Sequence, residues 1–177
     1  MATRYRFRVE EFERAFRDVP RVELLRGEVY QMSPIGPKHA FMVARLDDLL
    51  HEALRGKAVV MVQNPLRLPP DSEPEPDLLV LKPPLDRYQD RHPEPSDVLL
   101  LVEVADTSLE FDREMKLPLY AEAGIPEVWL VNLKENLLEV YREPREGRYR
   151  SIRLLSPSEP VSPLAFPEIS LPWAPSP

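Results

Sequence analysis

The sequence predicts an α/β domain with a mixed central β-sheet flanked by helices. Apolar residues switch along the chain between the three-to-four spacing of helices and the alternate-residue spacing of strands. The segments so defined run helix, two strands, helix, three strands, helix, three strands. The prolines also crowd into two regions, nine between Pro65 and Pro95 and seven between Pro157 and Pro177, and leave Ser96 to Glu143 with only Pro118 and Pro126. Proline lacks a backbone donor and fixes φ, so the dense regions read as extended connections or edges. Packed elements are left to about Val22 to Val62, Asp77 to Leu81 and Asp97 to Leu155.

Each element has a local reason. Glu10 to Arg17 reads as a short helix with Phe12 and Phe16 one turn apart. Val22 to Leu25 and Glu28 to Met32 flank Arg26-Gly27 and read as a β-hairpin, Gly27 supplying the positive φ of the turn. Pro37 to Arg55 is the clearest helix: Met42, Leu46, Leu49, Leu50, Ala53 and Leu54 form one stripe, and Gly56 stops it. Lys57 to Gln63, Asp77 to Leu81 and Val98 to Val104 read as strands. Leu109 to Ala123 reads as a helix stopped by Gly124, with Pro118 removing one hydrogen bond and bending it near Lys116. Glu127 to Asn132 follows as a strand, and a right-handed crossover makes it a parallel near neighbour of Val98 to Val104. Leu137 to Arg142 and Arg148 to Leu154 pair as an antiparallel hairpin. Residues 1–156 are expected to form a single domain and 157–177 a Pro-rich tail, either an extended strap or poorly ordered.

Composition removes several chemistries. With 177 residues the chain is long enough for one domain that buries roughly two thirds of its extended surface. It has no cysteine, which excludes disulfides, thiolate metal sites and cysteine nucleophiles. His39, His51 and His92 do not stand four residues apart in any pair, so zinc chemistry of the helical His-pair kind is not encoded. No segment has the apolar run of a membrane span or signal peptide, and the expectation is a soluble cytoplasmic protein. Lys plus Arg number 23 against 30 Asp plus Glu, a formal charge of −7, which argues against nucleic-acid binding by a broad basic surface. It leaves open an enzyme whose carboxylates hold a cation that then meets phosphate. The basic residues are 18 Arg and five Lys, a bias compatible with a thermophilic source or a GC-rich genome.

The anomaly in this apolar framework is Glu103. Along its strand Leu99, Leu101 and Glu103 share one face while Leu100, Val102 and Val104 share the other, which puts a carboxylate at the end of an apolar row. Such a group needs a cation, whether an Arg at the sheet's rim or a metal. Asp77 opens the apolar run Leu78 to Leu81 after Pro76, where an ordinary turn residue is the alternative. Two carboxylates on adjacent strands can share one divalent metal with water and a phosphate oxygen. Lys116, in a chain poor in Lys, shares a helix face with Tyr120 and Asp112. It is either solvated or aimed at the same place.

Pro76-Asp77, then Leu101-Val102-Glu103-Val104, then Asp112, Lys116, Tyr120, Gly124 and Glu127 to Val131, resembles the Uma-two family of restriction-endonuclease-like proteins in the PD-(D/E)XK nuclease superfamily. Val22 to Gly27, Met32-Ser33-Pro34 and His39 resemble that family's opening segment, and the likeness spans about Glu23 to Tyr149. The resemblance implies a restriction-endonuclease-like fold and a Mg²⁺-dependent endonuclease, with Mn²⁺ as a substitute, that hydrolyses phosphodiester bonds in DNA. Residue by residue it implies Asp77 and Glu103 as metal ligands and Lys116 as the catalytic lysine. It implies Glu23 as an additional acid and His39 as a residue contacting phosphate or assisting proton transfer. It also implies the backbone carbonyl of Val104 as a further ligand, a role that needs no particular side chain. The superfamily's lysine normally stands two residues after the second acid, where this chain has Ala105, and Lys116 looks like its migrated replacement.

Two other readings remain open at this point. One is a non-catalytic interaction module on the same fold, which Ala105 favours. The other is a metal-dependent hydrolase of small phosphate esters, which would use the same ligands. A local basic rim such as Arg87, Arg91 and Arg113 would carry nucleic acid to the site. The hairpins Val22 to Met32 and Leu137 to Leu154 are the candidate surfaces of a homodimer.

Overall fold

A computed structural model describes residues 1–177. The elements are helix α1 (Val9–Ala15), hairpin strands β1 (Val22–Leu25) and β2 (Glu28–Gln31), helix α2 (Pro37–Ala53), and strands β3 (Val59–Val62), β4 (Leu78–Leu81) and β5 (Val98–Ala105). There follow a helical passage from Leu109 to Glu122, and strands β6 (Glu127–Asn132), β7 (Leu137–Arg145) and β8 (Arg148–Leu155). β3 to β8 form one six-stranded sheet in sequential order, antiparallel except for the β5–β6 pair, which is parallel as a strand-helix-strand crossover requires. β1 and β2 form a separate hairpin whose turn, Arg26-Gly27, has positive φ at both positions. Gly27 is required there, because a Cβ would lie 2.6 Å from the Arg6 Cβ. No helix is long and apolar enough to cross a membrane.

Strand alternation divides the core into two layers. On one face Leu79, Leu81, Leu101, Ala105 and Leu130 pack against Leu117, Tyr120 and Ala121. On the other Leu78, Val80, Leu100, Val102, Val104 and Trp129 meet the α2 stripe of Met42, Val43, Leu46, Leu50 and Leu54. Gly56, at φ +76°, ends α2 where the sequence predicts a stop.

Two places differ from the expected elements. The helix after β5 is broken in three: one α turn at Leu109–Phe111, a π turn at Asp112–Lys116, and α3 at Leu117–Glu122 with Pro118 in its first turn. Proline without its N–H is accommodated at a helix start, and the widened turn precedes it. The second difference concerns the chain after Ser156, where the proline count marks a change of backbone character rather than the end of the core. Val161, Leu171, Trp173 and Ala174 are buried in the α2 layer, and Val161 and Leu171 pair as an antiparallel bridge. The Arg45 guanidinium on α2 donates to the carbonyls of Pro172, Trp173 and Ala174 at 2.7, 3.2 and 2.8 Å. Burial of an aromatic side chain such as Trp173 contributes about 3 kcal/mol, enough to hold an otherwise irregular strap in place.

Candidate active site

The pairing of β4 with β5 builds the site. Leu78 lies opposite Val102, so one step further Asp77 comes beside Glu103 at the end of the paired region. Asp77 Oδ2 accepts the Val104 N–H at 2.8 Å and lies 3.2 Å from His39 Nε2, at the start of α2. In an extended strand a residue's N–H and C=O face the same edge, so the Val104 carbonyl is directed toward Asp77 as well.

Glu103 points to the helical face of the sheet, where the π turn delivers Lys116. Lys116 Nζ lies 2.7 Å from Glu23, 3.2 Å from Glu103 Oε1 and 4.0 Å from Asp112. The Tyr120 hydroxyl donates to the same Glu103 oxygen at 2.6 Å. Glu23, brought in by β1, also accepts the Glu75 N–H at 2.9 Å, and Ser108 Oγ donates to Asp112 at 2.9 Å. Asp77, Glu103, Val104, Lys116, Glu23 and His39, the residues the sequence singles out, all line one cavity of about 530 Å³.

The electrostatics are unbalanced. Four buried carboxylates, Glu23, Asp77, Glu103 and Asp112, share the cavity with one buried ammonium. Burial drives the Glu103 pKa well above the usual carboxylate range, Lys116 opposes the rise, and Asp112, Asp77 and Glu23 add to it. Burial likewise raises Asp112 to about 6 against the pull of Lys116. For Lys116 burial disfavours the charge, but Glu103, Glu23 and Asp112 outweigh it and hold the amine protonated. The hydrogen bond to Asp77 raises the His39 pKa despite burial, while His39 Nδ1 is buried without a partner.

A buried excess of negative charge is offset either by protons or by a cation. The donors suit a hard cation: Asp77 Oδ1 and Glu103 Oε2 take no hydrogen bond, because Val104, His39, Lys116 and Tyr120 all engage the other oxygen of each carboxylate. No three acidic or histidine side chains gather closely enough to hold an ion by themselves. The available set is thus two carboxylates and one carbonyl, with the remaining positions left to water and substrate, as Mg²⁺ is commonly bound.

Asp112, Tyr120 and Arg21 also belong to this neighbourhood. The spacing of Asp112 and Tyr120 from Lys116 was the signal for the first two, while nothing local marks Arg21. The basic rim expected from Arg87, Arg91 and Arg113 is not at the cavity. Asp97 lies 3.5 Å from Arg87 and 2.8 Å from Arg91, and Arg113 is bonded to Glu139, so buried carboxylates turn these cations to structural work.

The family model described as Uma2, "Putative restriction endonuclease", matches residues 9–174. The chain belongs to the Uma2 family. That match includes the strap through Ala174, in line with its place in the core of this Uma2 chain. No curated protein matches the chain. Among solved structures, "a putative nuclease belonging to DUF820" from Anabaena variabilis is similar over 93% of this chain and 94% of its own, with a TM-score of 0.71 and 15% identity. At that identity the likeness is one of fold, and the Uma2 chain has the restriction-endonuclease-like architecture, a mixed sheet flanked by helices.

Proposed function

We propose that this protein is a divalent-metal-dependent nuclease that hydrolyses phosphodiester bonds in DNA. The observation that carries the proposal is the crowding of Glu23, Glu103 and Asp112 around Lys116, with Asp77 on the wall of the same solvent-reached cavity, a charge excess that a cation would relieve.

In this reading Asp77, Glu103 and the Val104 carbonyl hold Mg²⁺, with Mn²⁺ as a substitute. The ion when bound lowers the pKa of a water and stabilises charge on the phosphate. The protein's own groups prepare that geometry. The Val104 N–H and His39 fix one oxygen of Asp77 and leave the other free. Tyr120 and Lys116 do the same for Glu103. The Lys116 amine is held protonated, so it serves as a hydrogen-bond donor that orients the attacking water and offsets phosphate charge, rather than as a base. Glu23, 2.7 Å from that amine, helps to hold it in place. His39, with Nε2 on Asp77 and Nδ1 buried, acts through Asp77 instead of on the phosphate. Lys116 reaching Glu103 from the helix fulfils the task that Ala105 cannot.

The test is cleavage of linear and supercoiled DNA with Mg²⁺ or Mn²⁺. Asp77→Ala and Glu103→Ala should each abolish cleavage and the rise in melting temperature that the metal gives the intact protein. Cleavage surviving both substitutions overturns the site. Metal-independent DNA binding without cleavage would transfer the case to the interaction module.

A further inference from the structure

The catalytic cavity does not stand alone. A larger hollow of about 890 Å³ lies between α1, the start of β1 and the Pro65 to His92 connection, and it shares Arg21 with the catalytic cavity. A shallow third depression, bounded by Arg21, Gln31, Met32, Ser33 and Ile35, joins the same wall. Arg21 is therefore common to all three and forms the ridge between them. Its backbone is in the left-handed region at φ 61°, a conformation that non-glycine residues rarely adopt. Its guanidinium donates to the Ser33 carbonyl at 3.0 Å, and its charge is felt by His39 on one side and Glu75 on the other.

The charges in the larger hollow sort into two groups. Its inner acids gather on one cation, with Arg67 2.7 Å from Glu13, 3.6 Å from Glu10 and 4.0 Å from Glu73, while Glu75 and Asp90 on the same lining form no ion pair. Arg91 is spent on Asp97. At the rim, Arg14 and Arg17 are exposed and form no ion pair, and half-buried Phe16 lies between them in sequence on the same wall. Cations free of carboxylates beside an aromatic surface are the pattern that tracks a nucleic-acid backbone.

We infer that the phosphodiester strand whose scissile phosphate enters the catalytic cavity continues across Arg21 and along Arg17 and Arg14, with Phe16 as an apolar wall. This rests on the nuclease reading and adds to it a direction for the substrate and a means by which a chain of charge −7 holds a polyanion. Arg14, Arg17 and Arg21, none of them in an ion pair, supply that means on one wall beside the site.

The experiment measures binding of fluorescein-labelled single-stranded and duplex DNA to the full chain by anisotropy, without divalent metal, across a series of salt concentrations. Arg14→Glu with Arg17→Glu should weaken binding by about tenfold or more at low salt and lower the slope of log affinity against log salt by about 1.4 to 1.8, the loss of two phosphate contacts. Arg14→Gln with Arg17→Gln removes charge without reversing it and should show the same loss of slope with a smaller loss of affinity. Arg148→Glu with Arg153→Glu, on the distant β8 edge, should change neither. Wild-type binding left intact in affinity and slope by both Arg14/Arg17 pairs overturns the path and spares the nuclease reading. Failure of the wild type to bind either DNA at low salt, with Ca²⁺ added as well as without it, overturns the nuclease reading as well.

Discussion

Glu103 and Glu139 stand in one row across the sheet, on β5 and β7, with Leu130 of β6 between them. They are 4% and 2% exposed, so burial does not distinguish them. Their partners do. Glu139 accepts from both arms of Arg113, from the Tyr141 hydroxyl at 2.6 Å and from Asn132 at 3.1 Å. Burial pushes its pKa up, but these bonds outweigh burial and hold it below the usual carboxylate range. Glu103 shares a single amine with two other carboxylates and shifts the opposite way. A buried acid with a matched fork is part of the scaffold, whereas a buried acid short of positive charge beside a cavity is positioned to take a cation.

The contrast can be broken by experiment, and Lys116→Met is the strongest test. It removes the only ammonium among Glu23, Glu103 and Asp112, and at pH 8 should cost about 3 to 5 kcal/mol by chemical denaturation. Glu103 and Asp112, already raised by burial, acquire still higher native pKa values. The native state then binds more protons than the unfolded state, and the cost should shrink as pH falls toward 5. A cost independent of pH would mean that the amine does not balance those acids.

Next comes the pair itself. Glu139→Ala leaves Arg113 and Tyr141 without their acceptor and should cost about 2 to 3 kcal/mol, less than a fully buried pair because Arg113 reaches solvent. Glu103→Gln should cost less than about 1 kcal/mol, or stabilise, because it removes a like charge from a crowd. Equal costs for the two substitutions would end the comparison.

Glu73 provides an intermediate case. Burial, reinforced by neighbouring Glu13, lifts its pKa to about 8 even with Arg67 nearby, and its Oε2 has no hydrogen-bond partner. Since its unfolded pKa is the lower one, the native state holds the extra proton, and stability should fall as pH rises from about 4.5 to about 8. Glu73→Gln should remove about 1 to 2 kcal/mol of that fall, read as a flatter plot of melting temperature against pH. The smallest effect expected is that of Tyr120→Phe, about 1 kcal/mol in stability from one lost hydrogen bond. Cleavage should fall further than that loss of stability would explain, as Glu103 loses one of the two donors that fix it.

Much of this was legible in the sequence because it is local. The two-residue period of Val98 to Val104 places Glu103 on the helical face, and the four-residue spacing of Lys116 and Tyr120 puts both on its track. Gly27 and Gly56 mark turns that occur where expected. What escaped depends on distant pairing. Nothing near Glu139 announces Arg113, 26 residues earlier, and nothing near Arg87 or Arg91 foretells that both bind Asp97, so a basic rim was expected where there is none. The prolines after Ser156 left an extended strap and a poorly ordered tail both open. They do set its irregular backbone, but Val161, Leu171 and Trp173 between them decide where it lies.

That strap bears on how the protein is made. Synthesis runs from the amino terminus, so Leu171, Trp173 and the carbonyls gripped by Arg45 emerge after every other element of the fold. Until they do, α2 lacks both the side chain that completes its apolar layer and the acceptors that satisfy its arginine. The same helix carries His39 against Asp77 at its other end. The helix that sets His39 against Asp77 is therefore fully packed only once the strap has reached it, so damage to the strap would be felt at the candidate site.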